Sequence, residues 1–125
     1  MPRFAILRHE TPPDYGRPTH WDLMLEMGNV LRTWALEHEP DSQAVIVAES
    51  LPDHRLDYLS YEGPVSRNRG WVTRWDSGDY EIVDESPHRL RIKFDGARIQ
   101  GLAVLQTSDA AAAPVQRWTF SLYFT

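Results

Sequence analysis

Between His20 and Met27 the sequence alternates strictly. His20, Asp22, Met24 and Glu26 share one face of an extended segment, and Trp21, Leu23, Leu25 and Met27 share the other. His20 and Asp22 are two residues apart, so in a strand both side chains project the same way, about 6 to 7 Å apart along the chain. An imidazole and a carboxylate so placed can converge on one ion. His9, at the end of a preceding apolar segment, can supply a third ligand. Two neutral imidazoles and a carboxylate suit Mn²⁺, Zn²⁺ or another divalent transition metal, with positions left open for water or phosphate. The same residues also fit the solvated face of an amphipathic strand, and spacing does not separate the two.

A second group lies downstream. Asp53-His54-Arg55-Leu56-Asp57-Tyr58 holds two acids, an imidazole, a guanidinium and a phenol within six residues. Read as structure, it is a polar turn leading into a strand over Leu56 to Tyr61. Read as chemistry, His54 and Tyr58 reach a substrate phosphate, with His54 as hydrogen-bond donor or general acid. Both readings stay open on spacing alone. Other catalytic classes find little footing. There is no Gly-rich phosphate loop, no GxSxG elbow and no cysteine to act as nucleophile, thiolate ligand or disulfide partner.

These residues need a frame. A chain of 125 residues has room for one domain, read as residues 1–125, and can bury a core without staples. The dominant pattern is period two in short segments separated by turn residues. In His88 to Phe94, Leu90, Ile92 and Phe94 face one side and Arg89, Arg91 and Lys93 the other, with Asp95-Gly96 and a returning strand Arg98 to Gln106 behind them. Trp71 to Trp75 and Tyr80 to Val83 flank Asp76-Ser77-Gly78, a hairpin signal, and His20 to Met27 and Val30 to Leu36 flank Gly28-Asn29, another. Phe4 to Arg8, Ala44 to Ala48 and Trp118 to Phe124 complete the set. Thr11 to Pro18 and Ser108 to Pro114 read as loops, the alanine run of the second allowing one helical turn before Pro114. The expectation is an all-β fold: a small, closed or nearly closed, mostly antiparallel β-barrel with a polar interior pocket built from His9, His20 and Asp22. The five tryptophans fall at strand positions and read as packing residues.

The charge balance narrows the partners. Eighteen acidic against thirteen basic residues give −5, and Lys93 is the only lysine. That argues against a protein that wraps DNA by many phosphate contacts, but not against one that grips a single end. The first ten residues hold too short an apolar run for a signal peptide, and no stretch approaches the ~20 apolar residues of a spanning helix. A cytoplasmic protein without membrane association is expected.

Taken in order, the motifs resemble the 3′-phosphoesterase domain of bacterial DNA ligase D. The blocks that carry the resemblance are His9, then His20-Trp21-Asp22-Leu23-Met24-Leu25-Glu26, Val30 to Ala35, Asp53-His54-Arg55-Leu56-Asp57-Tyr58, Tyr61-Glu62-Gly63, and Val72-Thr73-Arg74-Trp75-Asp76-Ser77-Gly78. The resemblance runs from about Phe4 to Phe124. It implies a β-barrel with a catalytic pocket, a manganese-type ion at His9, His20 and Asp22, and phosphate contacts from His54 and Tyr58. It also implies a DNA 3′ end as substrate, from which a terminal ribonucleoside and then a 3′-phosphate are removed. A smaller phosphate ester is a further candidate.

The departures from the family pattern are specific. Its arginine two residues past the aspartate is Met24 here, and such a donor is typically worth ~10²–10³ in rate. The gap between His9 and His20 is longer, through Thr11 to Pro18. The basic position after the Trp-Ala block falls near Glu37-His38, and the Gly-rich loop shrinks to Pro64 to Gly70, where Arg67 and Arg69 can return charge. Polymerase and ligase segments are absent from this sequence, so a role in end repair would be carried alone or with separate partner proteins. The alternatives are a non-catalytic barrel that binds a nucleic-acid end or a protein partner, and, more remotely, a small-molecule binding barrel.

Overall fold

The computed structural model describes residues 1–41, 44–107 and 117–123. Among these residues nine strands form: β1 Arg3–Glu10, β2 His20–Met27, β3 Val30–Leu36, β4 Ile46–Arg55, β5 Gly63–Pro64, β6 Trp71–Ser86, β7 Arg89–Gly96, β8 Gln100–Gln106 and β9 Arg117–Tyr123. All neighbours are antiparallel. The order β1-β2-β3-β4-β9-β8-β7-β6, with β6 pairing back onto β1, closes a ring of eight, and β5 adds two residues to the start of β6. The expected all-β, nearly closed antiparallel barrel is the observed fold. No helix among the described residues is long and apolar enough to cross a membrane. The alanine run and Phe124 lie outside the described residues.

Every ring strand sends apolar side chains into the middle. Phe4 and Ile6 of β1, Leu23 and Leu25 of β2, Trp34 and Leu36 of β3, Ile92 and Phe94 of β7, and Trp118 and Phe120 of β9 form one buried cluster. Phe4 meets Phe94 edge-on at 4.8 Å and Trp34 meets Trp118 at 5.8 Å. This corrects the expected polar interior. A barrel this small has an interior just wide enough for packed side chains, and β2 contributes its apolar face, Leu23 and Leu25, to that packing. His20, Asp22 and Met24 therefore point outward. There a second, smaller cluster of Ala5, Leu7, Met24, Leu31, Leu59, Val65 and Val72 covers the outer face of β1 to β3.

Two further expectations change. Leu56 to Tyr61 is not a strand; Leu56–Leu59 forms a 3₁₀ turn. With three residues per turn, Leu56 and Leu59 fall on one side and pack on the outer cluster, with Tyr58 and Tyr61 beside them. The segment around Asp76 is not a hairpin, because β6 runs unbroken through it. The Asp76 carboxylate is buried and accepts the backbone N–H groups of Ser77 (2.8 Å), Ala97 (2.9 Å), Arg98 (3.1 Å) and Ile99 (2.8 Å). It thus organises the β7–β8 connection rather than a turn of its own. Opposite it, a register slip between Ile6 and Leu7 absorbs Trp75 as a bulge. The Gly28-Asn29 turn is as expected: Met27 pairs with Val30, and Gly28 takes φ 63°.

Candidate active site

Strand register brings the first group together. His9 on β1 lies directly opposite His20 on β2, and Leu7 lies opposite Asp22. His9, His20 and Asp22 are 7%, 5% and 3% exposed. One potential ligand atom from each falls within 4.8 Å of the others, the one such group of three among the described residues. Glu26, on the same polar face, is not part of it and instead binds Arg3, accepting its backbone N–H at 2.9 Å.

The hydrogen bonds around the histidines set their tautomers. His20 Nδ1 lies 2.9 Å from the Pro18 carbonyl, and His9 Nε2 lies 2.7 Å from the Arg69 carbonyl. A carbonyl only accepts, so these nitrogens carry the protons. The remaining nitrogens face Asp22, His20 Nε2 at 3.0 Å from Oδ1 and His9 Nδ1 at 3.2 Å from Oδ2, the second a hydrogen bond that His9 donates when its ring is protonated. His20 Nε2 sits off the hydrogen-bond direction, so Asp22 Oδ1 is buried without a hydrogen-bond partner. With both rings neutral, two lone pairs and a carboxylate face one another, which is unfavourable alone and suits a shared cation; without an ion, a proton on His9 takes that place. A metal-ligating histidine characteristically donates its other N–H to a carbonyl in this way. Electrostatics agree. Burial alone would raise the Asp22 carboxyl, but the adjoining His20 and His9 imidazoles outweigh it and hold the group at about 2. Burial would lower His9, yet the Asp22 hydrogen bond and the Arg69 carbonyl raise it on balance.

The Arg69 carbonyl belongs to a tight turn, closed by Val65 N–H donating to the Gly70 carbonyl at 2.8 Å. Gly70 has φ 101°, and a Cβ there would run into the Glu10 backbone carbonyl. The turn is thereby pressed against the end of β1, beside His9.

The second group faces the same cavity of about 510 Å³, which His9, His20, Asp22, Met24, His54 and Tyr58 all line. A bulge delivers His54. Between the pairs Thr33–Leu51 and Leu31–His54, β4 holds one residue more than β3, at Pro52-Asp53. Without it Asp53, not His54, would share the face of Leu51. The His54 and Tyr58 rings meet edge-on at 5.5 Å. His54 Nδ1 lies 3.0 Å from the Pro52 carbonyl and so carries a proton, leaving Nε2 for a ligand. That nitrogen accepts in the neutral ring and donates only in the imidazolium. Met24, 1% exposed, forms an apolar part of the wall.

Sequence reasoning missed Arg17, Arg55 and Tyr15 as lining residues. Arg17 and Tyr15 lie in the Thr11 to Pro18 loop, which carries no periodic pattern to orient a side chain. Of the two arginines singled out in the shortened loop, Arg69 lines the cavity and Arg67 does not.

The fold and site define an external His/His/Asp centre on a small antiparallel barrel, faced by a histidine and a tyrosine. Residues 9–107 match the family of DNA ligase D 3′-phosphoesterase domains, and the chain belongs to that family. It is 34% identical over 115 residues to the multifunctional non-homologous end joining DNA repair protein LigD of Mycobacterium tuberculosis, covering 84% of this chain and 14% of the relative. It is 27% identical over 109 residues to the multifunctional non-homologous end joining protein LigD of Pseudomonas aeruginosa, covering 79% of this chain and 12% of the relative. The chain thus spans about 12–14% of the length of these curated relatives.

Proposed function

We propose that this domain is a divalent-metal-dependent phosphoesterase that trims the 3′ ends of DNA for repair. His9, His20 and Asp22 would hold Mn²⁺ or a similar divalent ion, and His54 and Tyr58 would hold the phosphate. The observation that carries the reading is a buried Asp22 carboxylate, with Oδ1 lacking a hydrogen-bond partner, faced by the inner nitrogens of two imidazoles whose outer N–H groups are fixed on main-chain carbonyls. Family membership and the end-joining names of the relatives support the substrate. A bound ion would supply Lewis acidity and a more acidic water.

The residues of the chain do the rest. His9 and His20 present fixed lone pairs, and Asp22 brings negative charge into a buried site. In hydrolysis of a 3′-phosphate, a water oxygen bonds to phosphorus, the bond from phosphorus to the 3′ oxygen breaks, and that oxygen takes a proton. His54, as imidazolium with Nδ1–H on Pro52, can donate from Nε2 to the phosphate or the leaving oxygen. Tyr58 adds a hydroxyl donor. Met24 contributes none, so transition-state charge is neutralised less fully than with an arginine there, and slow turnover follows.

The test is a labelled primer–template ending in a 3′-phosphate or 3′-ribonucleotide, assayed with Mn²⁺. Slow wild-type conversion, reduced a further ~10²-fold or more by His54→Ala, is expected. Robust turnover indifferent to His54→Ala would refute the assignment. Binding of the end without turnover would favour the second reading, a non-catalytic end-binding module, which the apolar Met24 wall supports.

A further inference from the structure

The cavity does not stop at the His/His/Asp centre. A smaller cavity of about 260 Å³ adjoins it, and the two share Arg55, Tyr58 and Ser66. They form one groove that passes the 3₁₀ turn, with Arg55 where they join. Tyr58 and Tyr61 line the smaller part, their rings edge-on at 5.6 Å.

Three arginines line the groove, and they are not equivalent. Arg17 is paired with Glu49. The Arg69 guanidinium is held by Ser66, through its carbonyl at 2.8 Å and its hydroxyl at 3.0 Å. Arg55 is exposed, its side chain does not cap the 3₁₀ turn that follows it, and its guanidinium has no partner among the described residues. Where the two cavities meet, next to His54, Arg55 thus presents a guanidinium engaged in no ion pair, although the Asp53 and Asp57 carboxylates also line the groove. Guanidinium offers a planar fork matched to phosphate oxygens, and aromatic faces beside a basic groove suit the sugars and bases of a strand.

We propose that Arg55 binds the phosphodiester immediately upstream of the reacting end, making the groove selective for the terminus of a nucleic acid strand over a free phosphate ester. This rests on the phosphoesterase reading of the same site, in which His54 and Tyr58 hold the terminal phosphate. The strand leaves the His/His/Asp centre over Arg55, and its penultimate nucleotide lies against Tyr58 and Tyr61.

The experiment measures binding, in Mn²⁺, of a fluorescent single-stranded decamer with a 3′-phosphate, and its displacement by unlabelled nucleoside 3′-monophosphate. The wild type is expected to prefer the decamer. Arg55→Ala should weaken the decamer about tenfold, narrow the ratio of the two affinities, and flatten the logarithmic salt dependence of decamer binding by about 0.7. Arg55→Lys should restore the salt dependence, and Arg89→Ala, at an exposed arginine outside the groove, should alter neither quantity. A wild type with no preference for the decamer, an unchanged salt slope in Arg55→Ala, or equal weakening of both probes would overturn the inference. Decamer binding with the expected Arg55 effect but no turnover would overturn the catalytic reading alone.

Discussion

Asp22→Asn separates the ion from the fold. In the ion-free protein Asp22 faces two imidazole nitrogens at 3.0 and 3.2 Å. An asparagine amide of the same shape leaves no cavity, but it removes the charge that His9 and His20 stabilise, so the ion-free variant also melts lower, and the metal-dependent rise is read from each protein's own ion-free baseline. The ion-bound state loses the buried negative charge. Loss of an outer-shell partner typically costs 10–100-fold in metal affinity, so loss of the carboxylate itself should cost about 100-fold at least. At a metal concentration of about 100 times the wild-type Kd, binding stabilises the wild type by about 2.7 kcal/mol. For a domain of this size that is a rise of roughly 10 °C. The variant at the same concentration gains about 0.4 kcal/mol, a rise of only ~1–2 °C. Thermal melts across a Mn²⁺ or Zn²⁺ series, with calorimetry for the affinity, read both numbers. A wild type that does not respond to metal, or an Asp22→Asn protein that responds as fully as wild type, would refute the assignment.

Met24→Arg should raise 3′-phosphate turnover in Mn²⁺, by up to ~10²-fold if the guanidinium reaches the phosphate; no gain in single-turnover rate would show that position 24 does not limit the reaction. Asp76→Ala should cost about 3 kcal/mol, since buried backbone donors lose their acceptor; a urea midpoint unchanged from wild type would contradict the role given to that carboxylate. The ion-free protein should show stability contributions at both ends of the pH range. Asp22 is held at about 2 against its usual 3.8, so its contribution is present above pH 3.8 and is lost as pH falls toward 2. His9 is raised above 6.5, so its contribution is complete below pH 6.5 and is lost as pH rises through its folded value. Ion binding needs neutral imidazoles, so added metal should reverse the alkaline limb; parallel pH profiles with and without metal would speak against a His/His site.

The sequence carried more of the site than of its surroundings. Alternation in His20 to Met27 assigns His20 and Asp22 to one face, because the period of a strand is local. It does not say which face meets the barrel core, and that depends on the packing of Leu23 and Leu25 with Trp34 and Phe94 on other strands. His54 reaches the site through the extra residue at Pro52-Asp53, which in one dimension looks like a break in the strand. Asp76 looks like a turn residue for the same reason: its partners at 97–99 are distant in sequence. Arg17 gave no readable signal, and Arg55 stood inside the second group without a role, since a loop and the last residue of a strand impose no direction on a long side chain.

His9 is oriented by the main-chain carbonyl of Arg69, and that carbonyl is positioned by a glycine that fits against Glu10. The orientation of His9 in the His/His/Asp group is therefore written into the path of the backbone and not into the side chains of the turn that supports it. The Ser66 side chain and the Arg69 guanidinium are not what hold that carbonyl, whereas Arg67 and Asn68 shape the turn through left-handed backbone at φ 62° and 55°. A lineage can then change what the pocket rim recognises without rebuilding the centre beneath it. Gly70, whose Cβ would meet the Glu10 carbonyl, is where a substitution would disturb both at once most directly.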